Sequence, residues 1–131
     1  MNCFLRDQNM KASTKISISV EDICKEIQRL FQPRKIVMFG SRAQGNFHRD
    51  SDIDLLVILN DFSPFAKLKR YERFEYLLKN LHGFDHGIDA LILTQSELDK
   101  NLSENEGEWN LILEILESGI LIYDQNEEKE N

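Results

Sequence analysis

Seven consecutive residues, Ile53-Asp54-Leu55-Leu56-Val57-Ile58-Leu59, are apolar but for one aspartate, and a second aspartate, Asp52, stands directly before them. A short run of this kind, without polar alternation, reads as a β-strand covered on both faces. It therefore asks for a sheet with helices flanking it. Asp52 and Asp54 are two residues apart, so on a strand both carboxylates leave the same face. At a separation of about 4 Å and an effective dielectric of about 20 they repel by about 4 kcal/mol. Such a pair is tolerated when it is solvated, shares a proton or holds a cation. Hard oxygen donors of this type suit Mg²⁺ or Mn²⁺. Upstream, Gly40-Ser41-Arg42-Ala43-Gln44-Gly45 forms a small-residue turn that can offer backbone N–H groups and a hydroxyl to an anion. A cation site beside an anion site is the layout that a metal-bound triphosphate requires.

The rest of the chain fits one domain around that stretch. Its 131 residues suffice to bury about two-thirds of the unfolded surface. No apolar run approaches the ~20 residues of a membrane span. The polar N-terminus lacks the apolar segment of a signal peptide, so a cytoplasmic protein is expected. Cys3 and Cys24 have neither metal-ligand spacing nor a disulfide framework. The net charge of −7 is uneven: from Gln95 onward eleven acids face two lysines, a balance of −9, leaving the first 94 residues at +2. That is too weak a basic footprint for general nucleic-acid binding, although one nucleotide needs only a few cations and a metal.

In chain order, residues 1–15 read as a flexible arm, 16–123 as the folded domain and 124–131 as a disordered acidic tail. Ser19 and Asp22 resemble a capping box opening a helix of about twelve residues, with Val20, Ile23, Ile27, Leu30 and Phe31 on its apolar side and Pro33 ending it. Ile36–Phe39 predicts the first strand. Ser63-Pro64 starts a helix that should run to about Asn80, with Phe65, Leu68, Tyr71, Phe74, Leu78 and Leu81 on one side. Lys67, Lys69, Arg70, Arg73 and Lys79 fall on its other side, as a solvated face or as cations reaching phosphates. His82 and His86 lie four apart, but Gly83 and Gly87 oppose a continuous helix there, which weighs against zinc. His48 is a loop histidine near the motif. Ile88–Leu93 predicts a third strand with one acid, Asp89, set among apolar residues, a costly arrangement unless the charge is paired, protonated or metal-bound. Asp85 is its loop-borne competitor. Thr94 with Glu97 is a second capping box. Trp109, Ile112, Leu113 and Leu116 mark the last helix, stopped by Gly119, and Ile120–Tyr123 an edge strand. Exposed apolar positions near the C-terminus leave self-association open.

Gly40-Ser41, ten intervening residues and then Asp52-x-Asp54 resembles the signature of the DNA polymerase β-like nucleotidyltransferase superfamily. The fuller string GSRAQG…SDIDLLV is similar to its minimal nucleotidyltransferase (MNT) branch, small prokaryotic proteins often described as antitoxins, over about Val20 to Tyr123. The resemblance implies an α/β (α+β) fold, a small mixed sheet flanked by helices, with antiparallel pairing around the motif because no crossover helix separates its strands. It implies two Mg²⁺ ions, or Mn²⁺, held by Asp52, Asp54 and Asp89, with Asp89 also helping to deprotonate the acceptor. Gly40 and Ser41 would grip the β- and γ-phosphates of ATP, and Arg42 would neutralise charge. The implied reaction is AMP transfer to a hydroxyl, above all a tyrosine of a partner HEPN-domain toxin, as in type VII-like toxin–antitoxin pairs. Two rivals share these residues: transfer to a small molecule such as an aminoglycoside, and a non-catalytic antitoxin that acts by binding alone. Length and charge stand against a template-dependent polymerase.

Overall fold

The computed structural model describes residues 14–40, 43, 52–81 and 87–129, with side chains described from Val20 to Glu127. Helix α1 (Thr14–Phe31) leads into β1 (Lys35–Phe39) and β2 (Ile53–Leu59), then α2 (Arg70–Asn80), β3 (Ile88–Thr94), α3 (Gln95–Glu104), α4 (Leu111–Ser118), β4 (Ile120–Asp124) and the short α5 (Gln125–Lys129). The four strands form one mixed sheet in the order β3-β2-β1-β4. β1 pairs antiparallel with both β2 and β4, while β2 and β3 run parallel. The antiparallel pairing around the motif and the edge position of the last strand are as the residues predict.

Period-two alternation divides β2 between two cores. Ile53, Leu55, Val57 and Leu59 join Ile23, Cys24, Ile27 and Phe31 of α1 and Leu77 of α2 on one face. Leu56 and Ile58 join Leu98 of α3 and Ile112 and Ile115 of α4 on the other. Asp54 has the parity of Leu56 and Ile58, so it belongs to the α3/α4 face. The first-layer helix follows the predicted spacing, but it begins at Thr14, placing Ser19 inside it instead of at its cap. Gln32, at φ 50°, and Pro33 stop it.

The predicted helix from Ser63 to Asn80 is broken. Ser63 caps a 3-10 turn over Pro64–Lys67, Lys69 is extended, and α2 starts afresh at Arg70. The cause is Arg73, which is fully buried and not on a solvated face. Its guanidinium takes the Phe65 carbonyl at 2.9 Å and the Ala66 carbonyl at 3.3 Å, the acceptors that a continuous helix would give to Lys69 and Arg70. The same group bonds the Ile92 carbonyl and both carboxylate oxygens of Glu97, at 2.8 and 3.1 Å. Because the break resets the helical phase, Tyr71 and Leu78 are exposed while Arg73 and Leu77 are buried. Arg73 is thereby removed from the set of cations able to reach a phosphate.

Glu97 also completes the predicted capping box, accepting from Thr94 N–H at 2.9 Å while Thr94 Oγ1 accepts from Glu97 N–H at 3.1 Å. The hydrogen bond from Arg73, more than any other influence, holds the Glu97 carboxyl below its ordinary value. A depressed folded pKa contributes stability that is present above the unfolded value, about 4.3, and is lost as pH falls through the folded one. Acid unfolding of Glu97→Gln, followed by circular dichroism, should therefore be less pH-dependent than that of the wild type below about pH 5. Equal pH dependence would contradict the assignment.

α4 carries Ile112 and Ile115 inward, while Leu113 and Leu116 on it and Trp109 ahead of it are exposed. The chain beyond β4, expected to lack structure from residue 124, places Asp124 in the strand and Gln125–Lys129 in a helix, with Gln125 N–H donating to the Arg34 carbonyl at 2.8 Å. Among the described residues no helix is long and apolar enough to cross a membrane.

Candidate active site

The acidic residues lie where the strands begin. Asp54 is the second residue of β2 and Asp89 the second of β3, and the parallel register sets the two directly side by side. Neighbours in register point to the same face of a sheet, so both carboxylates stand on the α3/α4 side. Asp52, just ahead of β2, shares that parity and is exposed. Ile53 and Ile88, the residues between or beside them, turn to the opposite core. The Gly87 carbonyl accepts from Ile53 N–H at 3.0 Å, which ties the start of β2 to the start of β3.

Electrostatics follows from that placement. Asp54 is half-buried; burial first, and then the charges of Asp89 and Asp52, push its carboxyl above the ordinary value. The three acids thus act on one another. Among the described residues no three His, Cys, Asp or Glu side chains are drawn around a single ion-sized position. The donor set, three carboxylates with the central one destabilised in its ionised form, fits a hard divalent cation and no soft metal.

Two glycines close the site from either side. Gly40 follows β1 directly after Phe39, the residue paired with Asp54, and its φ is +80°. A Cβ there would overlap Asp54 Oδ2 and lie 3.2 Å from Cγ. Ala43 N–H returns to the Gly40 carbonyl at 3.1 Å, so the chain turns at once after the strand. Gly87 has the corresponding relation to Asp52: a Cβ would overlap Oδ1 and lie 3.0 Å from Cγ. The two differ in consequence. Gly40→Ala pays for a left-handed backbone and should lose about 1–2 kcal/mol of stability. Gly87→Ala meets only the tip of an exposed side chain that can swing aside, and should stay within about 0.5 kcal/mol of the wild type. Urea denaturation distinguishes the two; a neutral Gly40→Ala would contradict the packing described.

Of the residues singled out in the sequence, the structure brings Asp52, Asp54, Asp89 and Gly40 to one corner of the sheet. Ser41, Arg42, His48, His82, Asp85 and His86 lie outside the described residues. Gly87 is the position that residue-type reasoning passed over. Its signal was present, a glycine immediately before a strand whose second residue is an acid.

Asp52, Asp54 and Asp89 thus stand at the starts of two adjacent strands, beside the Gly40 turn. The nucleotidyltransferase domain family matches residues 20–125. Among solved structures the fold is similar to that of a candidate nucleotidyltransferase from Sulfolobus solfataricus, with a TM-score of 0.57 and 18% identity over 89% of this chain and 87% of that one. It is also similar to a chain of a toxin–antitoxin crystallised with AMP-PNP, with a TM-score of 0.53 and 23% identity over 84% of this chain and 77% of that one. No match was found among curated protein sequences. The chain belongs to the nucleotidyltransferase domain family.

Proposed function

We propose that this protein is a divalent-metal-dependent nucleotidyltransferase that moves AMP from ATP to the hydroxyl of a partner protein, a tyrosine of a HEPN-type toxin, and so acts as an antitoxin in the cytoplasm. The observation that carries the reading is the in-register pair of Asp54 and Asp89 with Asp52 on the same face. Likeness to a toxin–antitoxin chain solved with AMP-PNP supports the nucleotide and the partner class. Asp52, Asp54 and Asp89 would hold Mg²⁺ or Mn²⁺. Such an ion, when bound, neutralises triphosphate charge and stabilises the oxygens that enter and leave the α-phosphorus.

The chain's own residues take distinct parts. Asp54, in the interior strand pair and half-buried, is the fixed anchor. Asp89 is exposed on the edge strand β3, open to an acceptor too large to enter a cleft, and in this reading takes the proton of the incoming hydroxyl. The hydroxyl oxygen bonds to the α-phosphorus, the bond to the bridging oxygen breaks, and pyrophosphate leaves. Gly40, Ser41 and Arg42 receive the β- and γ-phosphates. Positioning and charge stabilisation suffice for this chemistry, with no protein nucleophile needed.

The experiment combines purified protein, Mg²⁺-ATP and the product of the adjacent gene, with mass spectrometry of the intact partner. An added AMP on a tyrosine supports the reading. An unmodified partner that is nevertheless fully neutralised by an Asp52→Asn/Asp54→Asn variant would replace it with neutralisation by contact alone.

A further inference from the structure

The exposed part of α4 is apolar beside its core stripe. Ile112 and Ile115 satisfy the core, yet Leu113 and Leu116, about a quarter-turn round the helix, are apolar as well and are 41% and 38% exposed. Trp109, 75% exposed, precedes the helix, and its indole Nε1 donates to Glu114 at 2.8 Å. The ring is thereby pinned along α4 and held out to solvent. Leu121 on the edge strand β4 pairs with Val37, which faces the α4 layer, so it stands on the side of the sheet that carries α4 and is 43% exposed. Trp109, Leu113 and Leu116, four and three residues apart, form an apolar ridge along α4 with Leu121 on the same side of the sheet, and all four are exposed.

Charge around the ridge selects its occupant. Glu104, Glu106, Glu108, Glu114 and Glu117 are all exposed, and no lysine or arginine occurs between Lys100 and Lys129. A second copy docked face to face would bring the two acidic rims together, and an anionic lipid surface would be repelled. Apolar contact at the centre with positive charge at the edge is the complement that both features ask for. We propose that the outer face of α4, with Leu121 of β4, is the docking surface for a second protein whose contact patch is apolar at its centre and basic at its rim. α4 and β4 lie on β1, where Ile120 pairs with Met38, two residues before Gly40. A protein seated there lies toward the same strand ends as the acids, at the sheet edge opposite β3. In that respect the inference deepens the proposed transfer to a protein acceptor and rests on it; the docking itself can be measured without transfer.

Trp109 is the chain's single tryptophan, so its emission reports the contact directly. The full-length protein is titrated with the product of the adjacent gene, following fluorescence and acrylamide quenching in low and high salt. The expected result is a blue shift with reduced quenching, weakened by salt. Leu113→Lys and Leu116→Lys should each weaken affinity about tenfold or more, with circular dichroism unchanged. Phe62→Ser, an exposed aromatic away from the ridge, should bind as the wild type does. Asp54→Asn should keep both affinity and blue shift; if wild type binds so but never transfers AMP, docking stands and the transfer reading falls. Absence of binding, unaltered Trp109 emission on binding, or full affinity in both lysine variants would overturn the proposal. So would a blue shift that depends only on the protein's own concentration, which would mark a self-associating face.

Discussion

Replacing Asp54 with asparagine is expected to lower AMP transfer about a thousandfold while raising the thermal stability of the metal-free protein. The first effect follows from position. Asp54 is the central member of the acidic group, set in register with Asp89 and opposite the Gly40 end of β1. Losing about 4 kcal/mol of charge stabilisation in the transition state costs three factors of ten in rate. The second effect has the opposite sign because burial, then Asp89 and Asp52, hold the Asp54 carboxyl above its ordinary value. A raised folded pKa in an acid means that ionisation opposes folding. The penalty is absent below the unfolded value, about 3.9, and grows as pH rises through the folded one. Asparagine escapes it. The Tm of Asp54→Asn should thus exceed that of the wild type at neutral pH, and the gap should close on acidification. Adding Mg²⁺ should raise the wild-type Tm and leave the variant unmoved, since only a ligand bound by the folded state stabilises it. A variant less stable than the wild type at neutral pH would contradict the electrostatics assigned to the site.

Arg73→Met should be the most damaging substitution for the fold, costing about 3–5 kcal/mol. Arg73 is fully buried, and its guanidinium serves the carbonyls of Phe65, Ala66 and Ile92 together with the Glu97 carboxylate. Methionine fills similar volume but donates nothing, so the Ala66 and Ile92 carbonyls and the Glu97 carboxylate lose its hydrogen bonds, while Phe65 keeps Leu68 N–H and Glu97 keeps Thr94 N–H. Against a total of about 5–15 kcal/mol for a domain, the loss brings the protein near its unfolding limit. Lysine keeps the charge without the planar fork and should recover only part of it. The midpoint of urea denaturation measures both; a loss under about 1 kcal/mol in Arg73→Met would show that the network is dispensable.

How much was legible beforehand depended on whether local pattern decided the outcome. β2 and its two carboxylates could be read because an unbroken apolar run and period-two geometry leave little choice. Asp89 was singled out by its apolar strand context together with the family resemblance; the structure leaves it exposed, not buried among those residues, with Asp54 beside it in register. Arg73 could not. Its burial depends on Glu97 and Ile92, distant in sequence, and on a helix break that the arginine itself creates. The start of α1 at Thr14 was hidden because the amphipathic spacing becomes regular only near Val20. Exposed apolar positions near the C-terminus were legible, but not which they are: a wide apolar stripe does not announce that Ile112 and Ile115 meet the sheet while Leu113 and Leu116 turn outward. Gly87 was read as a loop breaker, whereas its role is the room it leaves for Asp52.

The account reduces to a metal-dependent nucleotide site built from Asp52, Asp54 and Asp89. Calorimetric titration of ATP into the full-length protein, with and without Mg²⁺, tests that most directly. Binding that strengthens about tenfold or more on adding Mg²⁺, and loses that gain in Asp54→Asn, is the predicted result. ATP affinity indifferent both to Mg²⁺ and to the loss of Asp54 would contradict it.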